Sequence, residues 1–195
     1  MSEKMELDLR SIKKELQKEL GERRFSHTIG VMHTAMLLAS CHDVSVEKAK
    51  LAALMHDCAK KMKDKDSVKL CEKYHVEISE TERRNPYLLH AKTGAVVAKY
   101  RFHIEDEEIL EAIRCHTTGK PGMSKLAKVI YISDYIEPCR THFEQITHIR
   151  KLAFQNLDDA LIEVLKDTLC FLEQKGTEID SMTKETYEYY RKERN

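Results

Sequence analysis

Ten histidines stand among 195 residues, and their spacing against the apolar residues sets four of them apart. His27 is followed by Val31, Ala35 and Leu38 at i+4, i+8 and i+11, so on a helix it shares the apolar stripe. His56 lies four residues after Ala52, inside the apolar run Leu51-Ala-Ala-Leu-Met-His-Asp-Cys58. His90 shares a helical face with Gly94 and Val97, and His116 shares one with Ile109, Ala112 and Ile113. Leu126, Ile130 and Asp134 fall in one row, so a carboxylate stands where a core residue is expected. A buried, unpaired carboxylate is destabilising unless it is protonated or meets a cation, and a divalent ion removes the difficulty. Asp57 poses the same problem beside His56. Inward-facing imidazoles and carboxylates form a mixed nitrogen and oxygen donor set, which suits Fe, Mn, Co, Ni or Zn better than Mg or Ca. Taken singly, each feature has an ordinary explanation. A histidine on an apolar face is usually a hydrogen-bonded core residue, and a His-Asp dipeptide arises by chance. Their combination, with each histidine or aspartate group on its own helix, carries the signal.

The elements that must hold these residues are helical. Gly and Pro together number 9, far below low-complexity levels, and no run alternates with period two. The patterning predicts helices over residues 6–20, stopped by Gly21, and 26–41, capped by Ser26. After a turn at Asp43 and Ser45, further helices are expected to Cys58, then over 66–74, 88–100, 106–115 and 124–136. Residues 77–87 read as a loop and 117–122 as a turn. One long helix over 143–174 and a short charged helix after Gly176 complete the chain. No repeat, linker or shift in composition divides it, so one all-α domain is expected over residues 1–195.

Charge and composition narrow the partners. Lys+Arg and Asp+Glu are 33 each, for a net charge of zero. That balance disfavours a nucleic-acid binder or a polybasic membrane-surface protein. The charged start MSEKMELDLR is not a signal peptide, and no apolar stretch approaches the length of a membrane span. None of the six cysteines forms a Cys-x-x-Cys pair, and a chain of this size needs no staples. The expectation is a cytoplasmic protein whose cysteines are reduced, mostly small buried hydrophobes.

Five segments together resemble a known family. They are Arg24-Phe-Ser-His27-Thr-Ile-Gly-Val31, Leu54-Met-His56-Asp57-Cys-Ala-Lys60, Leu89-His90-Ala-Lys-Thr-Gly94-Ala95, Cys115-His116-Thr-Thr-Gly119 and Ser133-Asp134-Tyr-Ile-Glu-Pro-Cys-Arg140. The pattern is similar to the HD-domain metal phosphohydrolases, and within them to the bacterial symmetrical bis(5′-nucleosyl)-tetraphosphatases of the YqeK family. It spans residues 22–150 and continues more loosely to the C-terminus, where Asp180-Ser-Met-Thr-Lys-Glu-Thr186 departs from it. The resemblance implies an all-α, single HD-domain helical bundle with the metal centre between helices. Its core covers about residues 22–140, with an N-terminal helix and a C-terminal helical extension. It implies His27, His56, Asp57 and Asp134 as metal ligands for one or two divalent transition-metal ions, iron first, with manganese or cobalt as alternatives. Asp57, His56, His90 and His116 are the implied catalytic residues. Arg24, Asp57, Lys60, Lys61, His90, His116, Thr117 and Arg140 are the candidate substrate contacts. For His90 and His116 two readings stay open: ligands of a second metal with Asp57 between the two, or contacts to phosphate. Asp57 is also a candidate acceptor for a proton of the attacking water.

The activity implied is hydrolysis of diadenosine tetraphosphate at its central phosphoanhydride to two ADP. The partner is thus a dinucleoside polyphosphate or an ADP- or GDP-type nucleotide, with neither nucleic acid nor membrane, and the resemblance suggests a homodimer. Competing readings are another HD-domain nucleotide phosphohydrolase, a non-catalytic nucleotide or metal sensor, and a metal-stabilised scaffold. The intact ligand set speaks against the sensor. Met32, Met36 and Met55 read as core, and Tyr187, Tyr189 and Tyr190 read as packing residues rather than a base-stacking platform.

Overall fold

The computed structural model describes residues 9–141 and 145–194. Its described residues contain helices and no strand. Helix α1 runs from Leu9 to Cys41 but is two helices joined at Gly21, whose φ of 71° and ψ of 167° are closed to residues with a side chain. The second arm resumes directly after Gly21 rather than at Ser26, so the expected loop between two helices is a single-residue kink. One arm buries Ile12, Leu16 and Leu20, the other Val31, Ala35 and Leu38.

Helix α2 (Val46–Met55) starts at Ser45, whose hydroxyl accepts from the Lys48 N–H. It stops at His56, short of the expected Cys58, and residues 56–60 form turns. Helix α3 (Asp64–Lys73) follows. The stretch expected as a loop contains α4 (Glu80–Arg84), started by a capping box in which Ser79 and Glu82 satisfy each other's backbone N–H groups. A 3-10 turn over Pro86–Leu89 leads into α5 (His90–Tyr100). Helices α6 (Glu107–Cys115) and α7 (Lys125–Ile136) are capped by Asp106 and Ser124. The long helix expected over 143–174 is two: α8 (Ile146–Ala153) and α9 (Leu157–Gln174). The break falls at Asn156, whose side chain accepts from the N–H groups of Asp158 and Asp159 and so favours a new start over continuation. Residues 142–144, within that expectation, lie outside the described residues. Helix α10 (Ser181–Glu193) closes the chain.

One continuous hydrophobic core joins α1, α2, α5, α6, α7, α8, α9 and α10. Small residues, Ala35, Ala39, Ala49, Ala52 and Ala53, are fully buried where α1 and α2 meet. Such side chains let the two backbones approach closely. Helix α10 is tied to the turn after α6: the backbone N–H of Met123 donates to Tyr190 Oη (2.7 Å), and Thr186 Oγ1 donates to Thr118 O (3.4 Å). Tyr190 is therefore a packing residue.

Candidate metal centre and its flanking cavities

The candidate residues meet at the ends of helices. His56 is the C-cap of α2, His116 the C-cap of α6, and Asp134 lies in the last turn of α7, with Glu137 at its C-cap. Three helix C-termini thus converge, and their partial negative charge favours a cation between them. His27 comes from the second arm of α1, and Asp57 follows His56 in the turn beyond α2. His90 opens α5 from the opposite, N-terminal end.

Hydrogen bonds fix the tautomer of all four rings. Nδ1 of His56 lies 2.6 Å from Ala53 O, Nδ1 of His90 lies 2.8 Å from Tyr87 O, and Nδ1 of His116 lies 2.7 Å from Ile113 O. A carbonyl only accepts, so each Nδ1 carries a proton and each ring turns Nε2 toward the site, the atom that offers a lone pair to a metal ion. His27 is held the same way by Glu137 Oε1 at 3.1 Å. These Nε2 atoms then face acceptors. His27 Nε2 lies 2.9 Å from Asp134 Oδ1, and His56 Nε2 lies 3.5 Å from Asp57 Oδ2. Nε2 of His90 and of His116 lie 3.4 and 3.6 Å from Asp57 Oδ1. The Nε2 atoms of His27 and His56 are buried with no aligned hydrogen-bond partner. Lone pairs facing lone pairs and carboxylates repel unless a proton or a metal ion lies among them. His27, His56 and Asp134 form one group with metal-binding spacing, and His56, Asp57 and His116 form a second that shares His56. The donor set fits a divalent transition metal.

The charges around the centre follow from burial. Burial raises the Asp57 carboxyl, but His56 and then His116 overcome it and hold it well below the usual range. Burial likewise raises Asp134, and His27 and His56 outweigh it and lower it strongly. His90 is pushed down to about 3 by burial, then by His116 and Lys60, and stays neutral. Its Nε2 accepts from Lys60 Nζ at 2.9 Å, while burial lowers the Lys60 ammonium. Thr117 Oγ1 reaches His90 Nε2 at 3.2 Å. Arg24 pairs with Asp57 Oδ2 at 2.9 Å, and Arg140 pairs with Asp134 Oδ1 at 3.1 Å.

Two cavities open beside this centre. One, of about 230 Å³, meets it at His90, His116 and Asp134 and is walled by Tyr135 of α7 and by Val164 and Phe171 of α9. Lys60, Thr117 and Arg140 line its polar side. The other, of about 940 Å³, meets the centre at Arg24, His27 and Arg140. Lys61, expected beside Lys60, faces this second cavity instead, and its Nζ lies 2.9 Å from where a Cβ on Gly21 would stand.

The motif residues therefore converge, yet some of the site escaped the sequence reading. Glu137 is 1% exposed. It holds His27 through one oxygen and accepts the Cys139 N–H through the other at 2.8 Å. Gly30 makes room for it, since a Cβ there would stand 2.6 Å from Glu137 Oε2. Arg150 donates to the carbonyls of Ile136, Glu137 and Arg140 and pins the segment. The available signal was an acid one turn after Asp134 in a segment otherwise apolar. The α9 wall left no signal, because its residues also read as an ordinary core stripe.

Comparison with known proteins agrees with this geometry. A protein-family model described as the HD domain matches residues 24–139. The chain belongs to the HD-domain family. Within that family, this chain is 40% identical over 174 residues to the symmetrical bis(5′-nucleosyl)-tetraphosphatase of Bacillus subtilis, covering 89% of this chain and 92% of the relative. It is 41% identical over 168 residues to the enzyme of that name from Halalkalibacterium halodurans, covering 86% and 89%. A crystal structure of a Clostridium acetobutylicum protein, described as a predicted HD superfamily hydrolase involved in NAD metabolism, superposes with a TM-score of 0.91 at 40% identity, covering 94% of this chain and 97% of that one. The HD domain is a metal-dependent phosphohydrolase module, in accord with the histidine and aspartate cluster. No helix of the described residues is long and apolar enough to cross a membrane.

Proposed function

We propose that this protein hydrolyses diadenosine tetraphosphate at its central phosphoanhydride, giving two ADP. The observation that carries the reading is the ring of Nε2 lone pairs and carboxylates at the mouth of a half-apolar cavity. The extended identity to symmetrical tetraphosphatases supports it. His27, His56, Asp57 and Asp134 are assigned as the metal ligands, with iron the first choice and manganese or cobalt as alternatives. A bound divalent ion supplies charge neutralisation at the phosphoryl oxygens and lowers the pKa of an adjacent water.

The protein's own groups do the rest. Asp57 lies within reach of both histidine sets and is assigned to take the proton of the water that attacks a central phosphorus. The bridging P–O bond then breaks and ADP leaves. Lys60, Thr117, Arg24 and Arg140 are assigned to phosphate oxygens, which carry the spread charge of phosphoryl transfer. His90, neutral and at the N-terminus of α5, stands on the anion-favouring side of the site. The second ligand group, His56–Asp57–His116, favours a second ion. Metal analysis decides between the readings: two ions per chain support it, and one leaves His90 and His116 to the phosphates.

The described residues share one core, and we read residues 1–195 as one HD domain. The cysteines described are free, which supports a reducing, cytoplasmic setting. Light scattering tests the suggested homodimer, which requires twice the 22.8 kDa chain mass.

Product analysis tests the function. Metal-loaded protein incubated with diadenosine tetraphosphate is expected to yield ADP as the sole nucleotide product. ATP plus AMP would refute central cleavage. No turnover with iron, manganese or cobalt would favour another HD-domain substrate or a sensor. Arg140→Glu is expected to raise KM or lower kcat, and unchanged kinetics would remove Arg140 from the site.

A further inference from the structure

The second cavity borders the phosphoryl chemistry through Arg24, His27 and Arg140, but its outer walls have no part in the roles assigned above. Its walls come from the Gly21 kink of α1, the turn after α2 and the segment after α7. Arg23 and Lys61 line it, and neither makes an ion pair among the described residues. Arg24 and Arg140 also line it, but their charges are already answered by Asp57 and Asp134. Of its carboxylates, Glu137 is committed to His27 and the Cys139 N–H, leaving Glu22 as the exposed acid. Two unanswered cations against one exposed acid give the cleft an excess of positive charge on its open side. Such a surface takes an anionic ligand. About 940 Å³ is ample for a nucleoside diphosphate.

Its position is as informative as its charge. The smaller cavity reaches the centre through His90, His116 and Asp134, the larger through His27 and Arg24, and Arg140 borders both. The centre therefore lies between two cavities. A ligand with a nucleoside at each end and phosphates in the middle spans that layout, with its midpoint at the centre.

We propose that the cleft lined by Arg23 and Lys61 binds the second nucleoside-diphosphate half of the substrate. The half-apolar cavity takes the first half. This rests on the dinucleotide reading above and accounts for where the chain is cut: each half has its own seat, and the seats flank the reacting phosphates. The kink at Gly21 places its Cα side close to Lys61, whose Nζ lies 2.9 Å from where a Cβ there would stand.

The test uses the full-length, metal-loaded protein and three ligands. By calorimetry, ADP is expected to bind at two sites per wild-type chain and at one in the Arg23→Glu, Lys61→Glu double variant. In kinetics, the double variant is expected to raise KM for diadenosine tetraphosphate at least about tenfold, the scale of lost charge-assisted contacts. For adenosine tetraphosphate, which has a nucleoside at one end only, the wild type and the variant are expected to differ less. An unchanged melting temperature and metal content show that the variant is folded, and the milder Arg23→Gln, Lys61→Gln variant serves if it is not. One ADP site in the wild type, or equal KM in wild type and variant, overturns the inference even while ADP remains the sole product. Failure of the wild type to cleave the dinucleotide refutes the proposed function instead, and the ADP stoichiometry then still judges the cleft.

Discussion

Residue by residue, the centre depends on groups that set orientation as much as on groups that face the cavity. Four Nδ1–H donors each end on a carbonyl or on Glu137, and that turns every Nε2 toward the centre as the ligating atom. Glu137→Gln is expected to lower metal affinity about 10–100-fold, because the amide no longer offers His27 a charged acceptor. Gly30→Ala, which pushes a methyl group against Glu137, is expected to act in the same direction. Titration with Mn, read by calorimetry, checks both, and wild-type affinity in either would remove Glu137 from the support of His27. Asp57→Ala is expected to lower kcat at least about 10²-fold, the lower end for loss of acid-base catalysis. A variant that kept its turnover would exclude Asp57 from proton transfer. Which histidines face inward was legible in the sequence, because the helical period places His27, His56, His90 and His116 with apolar neighbours. That Glu137 lies under Gly30 was not. The two are 107 positions apart, and only the packing of α7 on α1 brings them together.

Helix by helix, the ends matter most. Ser45, Asp106, Ser124 and Asn156 each start a helix by accepting backbone N–H groups. Asn156 matters beyond its own cap, since it lets α9 swing away from α8 and supply the wall of Val164 and Phe171. Asn156→Ala is expected to cost about 1 kcal/mol of stability, the usual value for a lost N-cap. Chemical denaturation measures it, and an unchanged midpoint would mean that water replaces the cap fully. At the kink of α1, Gly21→Ala is expected to cost about 1–3 kcal/mol, because φ and ψ there are closed to alanine. An unchanged stability would mean that the helix straightens through the kink in solution. The boundaries at Ser124 and Asp106 were readable from the chain, since a polar cap before an apolar period is a local signal. The break at 154–156 was less so, because the apolar period runs through it and tertiary packing chooses the new direction.

For the whole molecule, three helix C-termini and two carboxylates point at one place, an arrangement that favours a bound cation there. Metal is therefore expected to stabilise the protein. At a free-ion concentration about a hundred times Kd the gain is about 3 kcal/mol. For a domain of this size that is a rise in Tm of about 5–10 °C. Scanning calorimetry with and without chelator measures it, and identical transitions would show that the acceptors are neutralised by protons alone. The helical class, the inward faces and the mixed donor set were determined by the sequence alone, since composition, period and side-chain chemistry are local properties. Their convergence at one centre, the Glu137 and Arg150 supports, and the two cavities on either side were decided only by the tertiary structure. Those features depend on distances between residues far apart in the chain, and such distances are set by how α1, α2, α6, α7 and α9 pack on a shared core.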